Sequence, residues 1–85
     1  MTQVDLQKDE QERITALTRI AALSQREREV LVLLADGLSA REIATRLQMA
    51  ESTAGIHLTR IYEKLGVNKA VIAVRCAIRA GLIDP

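Results

Sequence analysis

Residues 39–65 read SAREIATRLQMAESTAGIHLTRIYEKL. Ser39 followed three residues later by Glu42 matches a capping box, in which each side chain satisfies the other residue's unpaired backbone N–H and so opens a helix. That helix is short, Ala40 to Leu47, and its Ile43, Ala44 and Leu47 fall on one face. Gln48, Met49 and Ala50 form a turn. From Glu51 a longer periodic segment follows, with Ala54, Leu58, Ile61 and Leu65 spaced by four, three and four residues, and Gly66 closes it. Short helix, three-residue turn and longer helix is an arrangement by which a chain presents one helix to the major groove of DNA.

The flanks repeat the same signals. Ser24-Gln25-Arg26-Glu27 is a second capping box, predicting a helix from Gln25 to Asp36 that ends at Gly37 and buries Val30, Leu31, Leu33, Leu34 and Ala35. Asn68 is placed to cap a last helix, Lys69 to Ala80, with apolar Val71, Ile72, Val74 and Ile78 and a stop at Gly81. Three of the four glycines thus fall at helix ends, and Gly55 alone lies inside a helix. The expected fold is all-α: a compact four-helix unit over residues 23–85, preceded by an arm or linker, 1–22. The arm is expected to be frayed at first and helical in its second half, with Ile14, Leu17 and Ile20 or Ala21 as its stripe.

Composition agrees with that reading. Eighty-five residues hold one small core, 48% hydrophobic residues suffice to build it, and 27% charged residues keep its surface solvated. Tyr62 is the sole aromatic, so Leu, Ile, Val and Ala must supply the packing, which suits helices better than a sheet. The formal net charge is only +1, but it is unevenly spread. Residues 1–23 carry three basic against four acidic side chains, whereas 51–80 carry five against two, a local basic excess that fits a polyanionic partner.

No reaction centre is legible. His57 is the only histidine and Cys76 the only cysteine, so neither an internal disulfide nor a multi-thiolate metal site can form within the chain. The carboxylates alternate with Arg and Lys along helices, as solvated ion pairs do. The expectation is a non-enzyme without cofactor or metal. Met1 to Glu12 lacks the apolar run of a secretory signal, and no stretch is long enough to span a membrane, so a cytoplasmic, membrane-independent protein is expected.

Leu23-Ser24-x-Arg26-Glu27-x-Glu29-Val30-Leu31-x-Leu33-Leu34-Ala35-x-Gly37-x-Ser39-x-Arg41-Glu42-Ile43-Ala44-x-x-Leu47 resembles the LuxR-type, or GerE-like, DNA-binding domain of bacterial transcription regulators. The resemblance continues through Glu51, Thr53, His57-Leu58, Ile61-Tyr62 and Lys64-Leu65-Gly66-Val67, and it covers Leu23 to about Ile83 without a gap. It implies that residues 51–65 are the recognition helix, facing the bases of double-stranded DNA with Gly55, Ile56 and Thr59, and with Arg60 nearby. It also implies phosphate contacts from Arg41, Thr53, Lys64 and Lys69, with His57 either approaching phosphate or holding the packing. The last helix would form a homodimer on an inverted repeat, and Val71, Arg75, Cys76 and Arg79 share the spacing of such a face. RNA polymerase or another regulator is a further expected partner.

The chain departs from that pattern at Ala40, Ala50, Ala54 and Gly55, where relatives usually have Asn, Ser, Val and Lys or Arg. Ala50 removes an N-cap side chain and Gly55 weakens the helix interior, each by about 1 kcal/mol. Gly55 also removes a cation that reaches a base or phosphate. Two functions therefore stand side by side: sequence-specific DNA binding with few cationic base contacts, and a retained fold reassigned to a protein partner, for example to inhibit a related regulator.

Overall fold

Both capping boxes close. Ser24 Oγ accepts from Glu27 N at 3.1 Å while Ser24 N donates to Glu27 Oε1 at 2.8 Å, and Ser39 with Glu42 repeats the exchange at 3.2 and 3.0 Å. In a computed structural model, which describes residues 3–85, they open the second and third of five α-helices. The order is α1 (Gln3–Ala21), α2 (Gln25–Ala35), α3 (Ala40–Leu47), α4 (Glu51–Leu65) and α5 (Ala70–Arg79), with no strand among the described residues. The all-α helix-turn-helix expectation holds.

The four helices from α2 onward end in one way. Gly37, Gln48, Gly66 and Gly81 have φ of 90°, 57°, 67° and 77°. The N–H after each turns back to a carbonyl five residues earlier: Leu38 to Leu33, Met49 to Ala44, Val67 to Tyr62 and Leu82 to Ala77, at 2.9–3.2 Å. Leu38, Met49, Val67 and Leu82 then pack on the core, which completes the Schellman pattern. Glycine announced three of these stops. Gln48, inside the helix-turn-helix, was not announced, because a side chain other than glycine occupies the left-handed position there.

The core lies between α2, α3 and α4, closed by α1 and α5. Val30, Leu31, Ile43, Ile61 and Leu65 are fully buried, and each such side chain contributes roughly 1.5–3 kcal/mol relative to exposure. In α5 the inward residues are Ala73 and Ala77, whereas Val71 and Ile72 are exposed and Val74 and Ile78 half-buried. Small side chains bring that helix close to α2 and α4, so the predicted apolar set is not its buried set. Its N-cap is Lys69, one residue after the expected Asn68, since the Lys69 carbonyl accepts the first helical bond, from Ala73 N at 3.1 Å.

The arm differs most from expectation. Its helix begins at Gln3, not midway, as a run of Gln, Leu, Lys and Glu with acidic residues early in the helix favours; residues 1 and 2 lie outside the described residues. Ala16 and Ile20 face inward, while Ile14 and Leu17 of the predicted stripe are exposed. The phase is set by docking: α1 lies against α4 and α5, and Arg19 on the same side donates to the Leu65 carbonyl at 2.5 Å. No helix among the described residues is long and apolar enough to cross a membrane.

Candidate nucleic-acid interface

Helical periodicity divides α4 into two sides. Ala54, Ile61 and Leu65 are buried to zero exposure, and Ser52, Ile56, Thr59 and Glu63, spaced by four, three and four, form the opposite stripe. All four are exposed, Ile56 by 51%. Thr53 and Arg60, also exposed, flank the stripe on one side, and half-buried Gly55 lies on the other. The base-facing candidates Gly55, Ile56, Thr59 and Arg60 therefore lie along or beside one outward surface. Ser52 and Glu63 share it although the sequence reading passed over them; the periodicity that found the buried stripe also locates them, half a turn away.

Local bonding sets what this surface offers. Thr59 Oγ1 donates to the Gly55 carbonyl at 3.0 Å, leaving its lone pairs outward as acceptors. A Cβ built at Gly55 meets nothing within 4 Å, so no neighbouring side chain or backbone requires glycine there. Ala50, at the N-cap, makes no side-chain bond to the first turn of α4. Ile56 makes the centre of the stripe apolar, and Glu63 makes its far end acidic.

Much of the basic charge counted in the sequence is used within the fold. Arg28 donates to the Ala21 carbonyl at 3.4 Å, Arg26 to Leu47 at 3.3 Å and Arg19 to Leu65, so three guanidiniums sit at the C-terminal ends of α1, α3 and α4, where the helix dipole favours cations. Lys64, a phosphate-contact candidate, has its Nζ 2.7 Å from Oε1 of Glu27, whose side chain is 4% exposed. Burial alone raises the Glu27 pKa, but hydrogen bonds from Lys64 and from Ser24 outweigh it and hold the carboxyl below the usual glutamate range. This pairing spans 37 residues, and no local motif signals it. Glu42, fully exposed, is also lowered by the Ser39 backbone and hydroxyl of its capping box.

Arg41, Arg60, Lys69 and Arg75 are different: among the described residues their side chains enter no ion pair or hydrogen bond, and all are exposed. Arg41 stands in the first turn of α3, Lys69 at the N-cap of α5, Thr53 in the first turn of α4. His57 is half-buried on α4. On α5, Val71 is 63% exposed, whereas Cys76 is half-buried and Arg79 is ion-paired with Glu12 of α1. The four residues expected at a dimer face thus divide between open surface and the seam with α1.

The luxR family of bacterial regulatory proteins matches the chain over residues 21–77. Over 62 residues, 73% of this chain, it is 50% identical to the "Probable transcriptional regulatory protein NarL" of Mycobacterium tuberculosis, and over 46 residues, 54% of this chain, 54% identical to the "Probable HTH-type transcriptional regulator GfsR" of Streptomyces halstedii. It is 38% identical over 60 residues, 71% of this chain, to the "Uncharacterized response regulatory protein YgeK" of Escherichia coli K12. The matched stretches are 29%, 19% and 41% of those proteins, so the chain corresponds to a part of each. An exposed side of α4, a buried opposite side and this match lead to one assignment. The chain belongs to the luxR family of bacterial regulatory proteins and carries that family's DNA-binding, transcription-regulating domain.

Proposed function

We propose that residues 23–85 bind double-stranded DNA sequence-specifically, with α4 in the major groove and the arm 1–22 as a separate, docked element. The single observation that carries this is the two-sided burial of α4: one side locked at zero exposure, the other open along its length. Ile56 packs on a thymine methyl, Thr59 accepts from a base edge, Gly55 admits the backbone and Arg60 reaches the flank. Arg41, Thr53, His57, Lys64 and Lys69 hold phosphates, Lys64 with the donors left after its bond to Glu27. Two copies meet on an inverted repeat through α5, centred on Val71 and Arg75 with Cys76 and Arg79 at the α1 edge, in the cytoplasm. RNA polymerase or another regulator then meets the bound dimer.

The test begins with selection from a random duplex pool, because the operator is unknown, followed by anisotropy titration of the selected site at several salt concentrations. Arg41→Ala with Lys69→Ala should weaken binding to all sequences alike and lower the salt slope by about 1 per lost contact. Ile56→Ala and Thr59→Ala should change which sequences are selected. Val71→Glu should lower the sedimentation mass of the complex while the variant keeps its helical content. Exposed Ile56 on the stripe and the uncapped start of α4 favour a second reading, in which the same stripe grips a protein, such as a related regulator. No DNA binding at low salt, together with a complex formed through Ile56, would establish that reading instead.

A further inference from the structure

A groove of about 500 Å³ opens between α2, the C-terminal end of α3 and the segment that follows α5. Leu33, Leu47 and Leu82 form its floor, half-buried and packed on the core. The turn at Gly81, with φ 77°, brings Leu82 there, as its N–H donates to the Ala77 carbonyl at 3.0 Å. Val32 also lines the groove and is half-buried, yet among the described residues it is not packed on the core, so its apolar surface is presented to the groove and not to the interior. The edges are cationic. Arg28 lines the α2 wall; its Nη2 donates to the Ala21 carbonyl at 3.4 Å, and its buried Nε has no acceptor among the described residues. Arg46 stands on the α3 wall, exposed and without ion pair or hydrogen bond among the described residues. Glu29 is the one carboxylate of the lining, and it is already paired with Arg26 at 2.9 Å.

Gln25, Arg28 and Val32 follow one another along α2 at spacings of three and four, so the groove runs beside that helix for two turns, about 11 Å. Its two guanidiniums without a carboxylate partner lie on different walls, one on α2 and one on α3. A ligand that satisfies both must carry negative charge on either side of an apolar ridge. A helix does so with apolar residues at every third or fourth position and acidic residues flanking them. We propose that this groove docks an acidic amphipathic helix of a partner protein, its apolar ridge on Val32, Leu33, Leu47 and Leu82 and its flanking carboxylates on Arg28 and Arg46. Planar guanidinium forks match carboxylates, and taking Val32 and Leu82 out of water adds apolar burial. A phosphodiester backbone would leave the apolar floor unmatched, and a small anion with one head would leave one wall unpaired. No residue of the lining belongs to the outward stripe of α4, to the phosphate-binding set or to the α5 face, so this docking stands apart from DNA binding and from the pairing of two copies.

The probe is a synthetic helical peptide of about four turns, with leucine at every third or fourth position, glutamate flanking the leucines and alanine elsewhere. Titrated into the full chain labelled with nitrogen-15, it should shift the amide signals of Val32, Leu33, Leu47 and Leu82 and leave those of Ile56, Thr59 and Val71 in place. A peptide with lysine for glutamate, and one of the same composition with its leucines spread around the helix, should produce no such shifts. Arg46→Glu, at an exposed side chain without partners, should weaken binding of the acidic peptide about fivefold. Val32→Glu, which puts a charge in the floor outside the core, should remove it; the circular dichroism spectrum checks that both variants stay folded. Absence of shifts, equal binding of the lysine peptide, shifts centred on Ile56 or Val71, or binding that survives both variants overturns the proposal. Shifts of the same four signals by a DNA duplex would give the groove to DNA. A fall in the sedimentation mass of the free protein on Val32→Glu would give it to a second copy, and this is distinct from the α5 contact, which Val71→Glu probes. Either outcome overturns the proposal as well.

Discussion

The two ends of α4 are built to opposite standards. At its C-terminal end Leu65 is fully buried, Gly66 turns the chain at φ 67°, Arg19 binds the last carbonyl and Lys64 is tied to buried Glu27. At its N-terminal end Ala50 provides no side-chain cap, Glu51, Ser52 and Thr53 are exposed, and Gly55, a poor helix former, lies one turn in. One end of the helix is bonded to α1 through Arg19 and to α2 through Glu27, whereas the other is seated by the burial of Ala54 and has no side-chain cap. The C-terminal end thus adds side-chain hydrogen bonds to its packing, while the N-terminal end relies on packing alone.

The sharpest way to break the contrast is at Gly66. A Cβ there would stand 2.6 Å from Arg19 Nη1, and the left-handed backbone is unfavourable for any side chain by about 1–2 kcal/mol. Gly66→Ala should therefore strain the turn and displace the guanidinium together, lowering stability by roughly 2–3 kcal/mol once the lost hydrogen bond is included. Chemical denaturation measures this directly. A loss no larger than that of Arg19→Ala alone would show that the anchored end is less constrained than its geometry indicates.

Next in size is the Glu27–Lys64 pair. Lys64→Met leaves a buried carboxylate with only its Ser24 partners and should cost about 2 kcal/mol at neutral pH. Because the folded pKa of Glu27 is depressed, the stability it brings is present above its unfolded value near 4.5 and is lost as pH falls through the lower folded value. The difference between parent and Lys64→Met should accordingly narrow as pH drops below about 4.5. A constant difference from pH 7 to pH 3 would mean that Lys64 acts by packing its stem and not by its charge. Since Lys64 also supports the fold, its truncation is a poor probe of DNA contact, and Arg41 and Lys69 are the cleaner choices.

Legibility from sequence followed the range of the physics. Ser24–Glu27, Ser39–Glu42, Gly37, Gly66 and Gly81 act within one turn of the chain, and each did in the fold what its local pattern implied. The outward stripe of α4 was likewise readable, because a 3.6-residue period fixes both sides at once. Failures came where a distant partner chooses among local options. The phase of α1 is set by α4 and α5, which keep the expected Ile20 inward but turn Ala16 in beside it in place of Ile14 and Leu17. Alanines 73 and 77 are buried because close approach matters more there than side-chain size. The basic excess over residues 51–80 also misled in part, since Lys64 and Arg79 of its five cations are paired with Glu27 and Glu12 inside the fold.

The smallest effects should come from giving the uncapped end of α4 the local bonding that its other end has. Ala50→Ser restores an acceptor for the first-turn N–H groups, and Gly55→Ala fills open space with a better helix former, each raising stability by about 1 kcal/mol. Five residues apart and without a shared neighbour, the two gains should nearly add in a double variant. Gly55→Lys carries the same helical gain together with a cation beside the outward stripe, so it should bind duplex DNA more tightly and with a steeper salt dependence. The informative result is the pairing of the two measurements. Higher melting temperature with tighter binding means that Gly55 simply forgoes a contact; higher melting temperature with weaker binding means that the backbone at Gly55 must come close to the duplex. In that second outcome the missing side chain at Gly55 belongs to recognition itself, because any side chain there would hold the helix away from the groove.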